Sequence, residues 1–189
     1  ISVEGINEGI TNSNYYLTTS KNKFILTIFE EPNLDLDYAI DLMHMLSANK
    51  INCPTPLKTK EGLSVTNVKN KPCSIFTLLP GKTISKNTPT IDMCKQIGST
   101  IGKIHNCSRK FKRFDLGLRN SDWFISTSKK LEPVLIIEDI KLIKKEIENL
   151  IYCMNKGLPS GVIHSDLFRD NAMFLDNNLT GVIDFYYAC

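Results

Sequence analysis

The feature that most constrains this chain is a polar run near its end. His164-Ser165-Asp166-Leu167-Phe168-Arg169-Asp170-Asn171 is followed, after a short interval, by Ile183-Asp184-Phe185. The run reads as His-x-Asp with an Asn five residues beyond the Asp, then a second Asp at a strand end. Gly161–His164, Ala172–Leu175 and Thr180–Ile183 have the composition of short strands, and Asp176-Asn177-Asn178 is turn chemistry between the last two. A hairpin brings its two ends back together. The fold must therefore hold a loop carrying Asp166 and Asn171 beside the strand end carrying Asp184.

Three oxygen-bearing side chains around one point suit phosphoryl transfer to an alcohol. That reaction asks one carboxylate to orient a hydroxyl and accept its proton, and asks metal ions to hold the triphosphate. Mg²⁺ takes oxygen ligands, which Asn and Asp provide. Singly, Asp166 and Asn171 are ordinary turn residues and Asp184 an ordinary strand cap; the joint spacing favours the chemical reading.

Upstream, Ser13–Thr19 and Phe24–Phe29 predict a β-hairpin across Ser20-Lys21-Asn22-Lys23. Leu34–Ala48 carries apolar residues at helical period, ended by Asn52-Cys53-Pro54-Thr55-Pro56. Short strands follow at Leu63–Val68 and Ser74–Leu78, turning at Lys69-Asn70. Beyond Pro80-Gly81 helices dominate. Thr88-Pro89 predicts a capped helix start, with Ile91, Cys94, Ile97, Ile101 and Ile104 as its stripe. Asn120 or Ser121 predicts the cap of a short helix through Trp123, which reads as a core anchor. A long helix is predicted from Ile136 to Met154, with Gly157 closing it.

A β-rich lobe, a Pro-Gly joint and a helical lobe containing a small hairpin make an α+β, two-lobe layout of the protein-kinase-like kind. The expected lobes are residues 1–79, for ATP binding, and 80–189, for catalysis. Glu8-Gly9-Ile10-Thr11-Asn12-Ser13-Asn14-Tyr15 lies between two strands, where a phosphate-covering loop belongs. Its small polar residues, Asn12, Ser13 and Asn14 among them, suit phosphate oxygens. Ser74–Gly81 runs into the joint, where this fold offers backbone groups to adenine, here at Thr77 and Leu79. A plain core strand would have the same composition.

The catalytic run resembles the catalytic and metal-binding loops of the aminoglycoside phosphotransferase and choline kinase superfamily. That resemblance implies Asp166 as catalytic base, Asn171 and Asp184 as Mg²⁺ ligands, and His164 as a brace without chemistry. Four stretches together narrow it: Glu4–Tyr15, Ile25–Glu30, Asp166–Asn171 and Ile183–Cys189 are similar to the homoserine kinases of that superfamily, over nearly the whole chain. The implied reaction is ATP-dependent phosphorylation of L-homoserine to O-phospho-L-homoserine, a step toward threonine. Choline, ethanolamine, aminoglycoside or methylthioribose kinases are the alternatives, and a non-catalytic nucleotide-binding protein is a third reading. One departure stands out. Many superfamily members carry a Lys or Arg on the strand occupied by Phe24–Phe29, reaching the phosphates; here that place is Thr27. Arg169 is read equally as a contact to substrate carboxylate or phosphate and as the partner of a nearby acid.

The remaining composition excludes other classes. A net charge of +3 without a dense basic cluster gives no reason to expect a nucleic-acid partner. No apolar run has membrane-spanning length and no signal pattern opens the chain, so a cytoplasmic enzyme is expected. Six cysteines without a Cys-x-x-Cys pair read as reduced core thiols. His105 reads as a helix-end residue and His44 as structural. Starting without Met, and ending five residues after Asp184, the chain reads as a fragment lacking the helices that wall the acceptor site in related kinases.

Overall fold

In a computed structural model, the structure describes residues 1–7, 11–84 and 89–189. These residues form two compact units, one of residues 1–113 with 162–188, the other of residues 114–161 with Cys189.

The first unit is built on a five-stranded antiparallel sheet. Its strands are β1 (Ser2–Ile6), β2 (Ser13–Thr18), β3 (Lys23–Ile28), β4 (Thr66–Val68) and β5 (Lys71–Thr77), in the order β1-β2-β3-β5-β4. The β2–β3 hairpin lies where its aromatic and β-branched residues predict, with Asn14 opposite Thr27. The β4–β5 turn places Lys69 and Asn70 at φ 48° and 65°, the left-handed pair that a tight hairpin turn requires. β4 is shorter than the expected Leu63–Val68, because Gly62 turns the chain and Leu63 faces solvent.

Helix α1 (Leu36–Ala48) is capped by Asp35, whose carboxylate accepts from the Tyr38 amide at 2.8 Å. Its buried residues, Tyr38, Ala39, Ile40, Leu42, Met43 and Leu46, join Phe29, Ile51, Phe76, Ile104, Val182 and Phe185 in the main core. Phe185 is thus a core residue directly after Asp184, which fixes where that carboxylate sits. Helix α2 (Ile91–Ser108) begins later than expected. Thr90 is its N-cap, accepting from the Met93 amide at 3.2 Å; Thr88 lies outside the described residues. The helix runs three residues past His105. Met93 and Ile104 are buried, but Ile91 is 79% exposed, so the predicted stripe is only partly used. Replacing Thr90 by Ala should cost about 1 kcal/mol and lower Tm by a few degrees. An unchanged thermal melt would show that the cap contributes nothing.

A second, three-stranded sheet orders β6 (Lys82–Thr83), β7 (Ala172–Leu175) and β8 (Asn178–Val182), all antiparallel. Asp176 and Asn177, at φ 48° and 66°, make the expected turn. Gly81, at φ 99°, lies so close to the Phe174 carbonyl that a Cβ would meet it at 2.1 Å; only glycine fits this joint. Gly161–His164 is not a strand. The segment is held instead from the side, through the Ser108 hydroxyl donating to the buried Val162 carbonyl at 3.3 Å.

The second unit contains α3 (Ser121–Leu131), capped by Asn120, and α4 (Ile137–Met154). α4 forms where apolar periodicity predicts, and α3 starts at the expected Asn120 cap but runs well beyond Trp123, to Leu131; neither helix has a buried residue. Trp123 is 41% exposed and packs edge-on against Phe124; it is not a core anchor. All six cysteines are free thiols. Cys53 and Cys73 are buried as expected, whereas Cys94 and Cys153 are exposed. Among the described residues no helix is long and apolar enough to cross a membrane.

Candidate active site

Two loops of the first unit meet at the end of the β7–β8 hairpin. His164 is 5% exposed, and burial holds its imidazole below the ordinary histidine range, so the ring is neutral near pH 7. A carbonyl can only accept, so Nε2–H donates to the Ile183 carbonyl at 2.9 Å, while Nδ1 accepts from the Asp166 amide at 3.3 Å. The ring also lies 4.5 Å from that of Phe185. One imidazole therefore links the residue before Asp184 to Asp166.

Asn171 adds two further links. Its side-chain amide donates to the Asp166 carbonyl at 2.7 Å, and its own carbonyl accepts from the Ile183 amide at 2.9 Å. It is buried, at the end of the 3₁₀ turn Arg169–Asn171. The structure thus brings Asp166, Asn171 and Asp184 together through His164 and Ile183. Ser165 and Asp184 both occupy the left-handed region, at φ 59° and 67°. For non-glycine residues this costs of order 1 kcal/mol or more each, and such strain persists where surrounding contacts enforce it. The Ser165 hydroxyl supplies one such contact, donating to the Tyr187 carbonyl.

Asp184 is the electrostatic centre. Its Oδ1 is buried without a hydrogen-bond partner. Burial first, then the charges of Asp166 and Asp170, push its carboxyl up to about 6 from an ordinary 3.8. An orphaned carboxylate oxygen beside two further carboxylates is costly unless a cation joins it. The chemistry of that donor set suits a hard divalent ion, which Asn171 and Asp184 could hold. Among the described residues no cluster of three His, Cys, Asp or Glu side chains forms a metal cage, so further ligands would come from nucleotide and water.

The expected nucleotide residues are more scattered. Glu8, Gly9 and Ile10 lie outside the described residues. The Asn12 side chain accepts from the Glu30 amide at 3.3 Å, and the Ser13 hydroxyl donates to the Glu30 carboxylate at 2.9 Å. Glu30 in turn pairs with Lys71. Asn14 Oδ1 accepts from the Thr27 hydroxyl at 2.8 Å. The Thr77 amide is committed to the Thr55 carbonyl at 3.0 Å, and Leu79 lies just beyond β5, ahead of the joint. Arg169 is exposed at the start of its turn. Sequence reasoning missed Ser165, Tyr186 and the partnership of Thr27 with Asn14. The one signal available was Thr27 itself, a hydroxyl inside an otherwise apolar strand.

The model of the Phosphotransferase enzyme family matches residues 2–189. The chain is 36% identical over 190 residues to the homoserine kinase of Methylobacillus flagellatus, covering all of this chain and 59% of that protein. It is 34% identical to the homoserine kinase of Neisseria meningitidis serogroup B, covering 62% of it. The chain thus spans about three fifths of the length of the curated relatives it matches. Among solved structures, an amicoumacin kinase in complex with AMP-PNP, Ca²⁺ and Ami superposes with a TM-score of 0.75 at 17% identity. That match covers 98% of this chain and 59% of the other. Spectinomycin phosphotransferase with ADP and spectinomycin gives 0.68 at 12% identity, over 98% of this chain and 64% of the other. At such identities the likeness establishes the kinase-like α+β fold.

Proposed function

This chain belongs to the phosphotransferase enzyme family, and from that premise we propose that the protein is a cytoplasmic kinase transferring the γ-phosphoryl group of ATP to the hydroxyl of L-homoserine. The observation that carries this reading is the bonded frame of His164, Asn171 and Ile183, which links Asp166 to the loop of Asp184, whose Oδ1 is buried without a partner. The acceptor is inferred from the similarity to homoserine kinases over the full length of the chain.

Asp166 orients the acceptor hydroxyl and takes its proton as the new O–P bond forms and the bond from the γ-phosphorus to the bridging oxygen breaks, releasing ADP. Asn171 and Asp184 would hold Mg²⁺, which would supply neutralising charge to the phosphate oxygens. His164, neutral and bonded at both nitrogens, keeps the two loops in register and exchanges no proton. Residues 1–79 contribute the nucleotide side, with Asn12, Ser13 and Asn14 near the phosphates and the strand through Thr77 to Leu79 along the adenine. Arg169, exposed next to the catalytic loop, is the candidate for the acceptor's carboxylate.

The test is ADP release by the protein at its natural full length with Mg-ATP and a panel of acceptors: L-homoserine, choline, ethanolamine, an aminoglycoside and methylthioribose. Homoserine is expected to give kcat/KM at least ~100-fold above the others, a ratio that buried polar contacts to its ammonium and carboxylate can supply. Equal or better turnover of another alcohol would replace homoserine while leaving the kinase chemistry in place.

A further inference from the structure

β3 poses a chemical question. It is the strand where many related kinases present a cation to the phosphates, yet its central residue, Thr27, is uncharged and only 2% exposed. A hydroxyl so deeply buried is costly unless bonded. Thr27 is bonded on both sides. Its Oγ1–H donates to Asn14 Oδ1 at 2.8 Å, on the neighbouring strand β2. On its other side it is the hydrogen-bond partner of the Tyr186 phenol. A hydroxyl has one proton to give and lone pairs to accept with, so the bonds run in one direction, from Tyr186 O–H to Thr27 to Asn14.

Tyr186 is itself fixed. Its ring packs edge-on against Phe29 at 4.9 Å and against Phe76 at 6.1 Å. It stands two residues after Asp184, in the 3₁₀ turn Phe185–Tyr187. A phenol keeps its proton at neutral pH and is able to donate. Helix α1 also offers no partner to a cation at position 27. The buried residues of α1 include no carboxylate. The acids Asp35 and Asp41, at the cap and on the surface of that helix, pair instead with Arg113 at 3.2 and 2.9 Å.

We propose that Thr27 is a positioning residue: by joining Asn14 on β2 to Tyr186 beside the metal-binding turn, it fixes the nucleotide strands and the Asp184 loop as one unit, in place of a charged phosphate contact from β3. The proposal rests on the nucleotide-site reading above. With Oδ1 of Asn14 held by Thr27, the amide nitrogen is turned to the opposite side, where it lies 3.5 Å from the Asn12 carbonyl in the segment leading into the strand. Losing the Thr27 hydroxyl frees the Asn14 amide to flip and removes the acceptor of the Tyr186 proton.

The experiment uses the full-length protein with Thr27→Val, which keeps the shape, Thr27→Ser, which keeps the hydroxyl, and Tyr186→Phe. Each is titrated with a fluorescent ATP analogue at several fixed Mg²⁺ concentrations, and thermal melts are recorded alongside. Thr27→Val and Tyr186→Phe are expected to weaken Mg²⁺-dependent analogue binding roughly tenfold, the scale of one lost buried hydrogen bond, and Thr27→Ser to restore it. A merely structural Thr27 would lower Tm in Thr27→Val while leaving analogue affinity and its Mg²⁺ dependence unchanged, which overturns the proposal. Wild-type protein that binds no analogue at any Mg²⁺ concentration would overturn the nucleotide-site reading itself, a result distinct from equal binding by wild type and variant.

Discussion

Replacing Asp184 by Asn should abolish Mg²⁺-dependent nucleotide binding while making the metal-free protein more stable. The two effects have one cause. Asp184 carries a buried, unpartnered oxygen. Burial and the neighbouring Asp166 and Asp170 raise its carboxyl from 3.8 to about 6. Besides those two carboxylates, the Tyr186 backbone amide acts on it, donating a hydrogen bond that offsets part of the rise. A carboxyl whose folded value is raised binds its proton more tightly in the folded state. Its contribution to stability is fully present below about pH 4, where folded and unfolded chains are both protonated, and is lost as pH rises through about 6. At pH 7.5 the metal-free protein therefore carries a penalty of roughly 2–3 kcal/mol from this one group. Asn has the same size and no charge, so the variant should melt about 5 °C higher at pH 7.5 and show no advantage near pH 4. Adding Mg²⁺ and ATP should raise the wild-type Tm by mass action and leave the variant's unmoved, with turnover reduced roughly 10³-fold. A variant that still gains Tm from Mg-ATP would remove Asp184 from the metal site. A variant no more stable than wild type at pH 7.5 would show that its carboxylate is not strained.

What could be read from the sequence follows a physical division. Contacts between near neighbours were legible: the β2–β3 hairpin, the Lys69-Asn70 and Asp176-Asn177 turns, and the Asn120 cap all follow from residues a few positions apart. The Asp166, Asn171, Asp184 constellation was legible for the same reason, because a short hairpin forces its ends together. Burial was less so. Apolar period located α4, but periodicity gives a face and not its cover, and Ile136, Ile137, Leu142 and Leu150 are exposed. The α2 start misled because Thr88-Pro89 and Thr90 offer equivalent local chemistry two residues apart, and the bond to the Met93 amide decides between them. Gly161–His164 has strand composition, but strand formation needs a partner edge, which no local pattern reports. The Thr27–Tyr186 link joins distant parts of the chain and was invisible for that reason. Only the odd placement of a hydroxyl in Phe24–Phe29 hinted at it.

Asp166→Asn should lower kcat by roughly 10²–10⁴ while leaving nucleotide affinity and Tm little changed. The frame around Asp166 uses its backbone and not its carboxylate: the carbonyl accepts from Asn171 at 2.7 Å and the amide donates to His164 at 3.3 Å. Asn preserves both bonds, along with the size of the side chain. What it removes is the oxygen able to take a proton from the acceptor hydroxyl, together with one of the charges facing Asp184. The second loss relieves like-charge repulsion, so any shift in metal-free stability should be upward and small. Lowered turnover therefore cannot be blamed on a disordered loop, provided the melt is unchanged. Steady-state kinetics with homoserine, beside a titration with a non-hydrolysable ATP analogue, separates the two steps. Reduced kcat with unaltered analogue binding identifies Asp166 as acting in the chemical step. Near-normal turnover would mean that another residue accepts the proton, and reduced analogue affinity without a change in kcat would make Asp166 part of the nucleotide site.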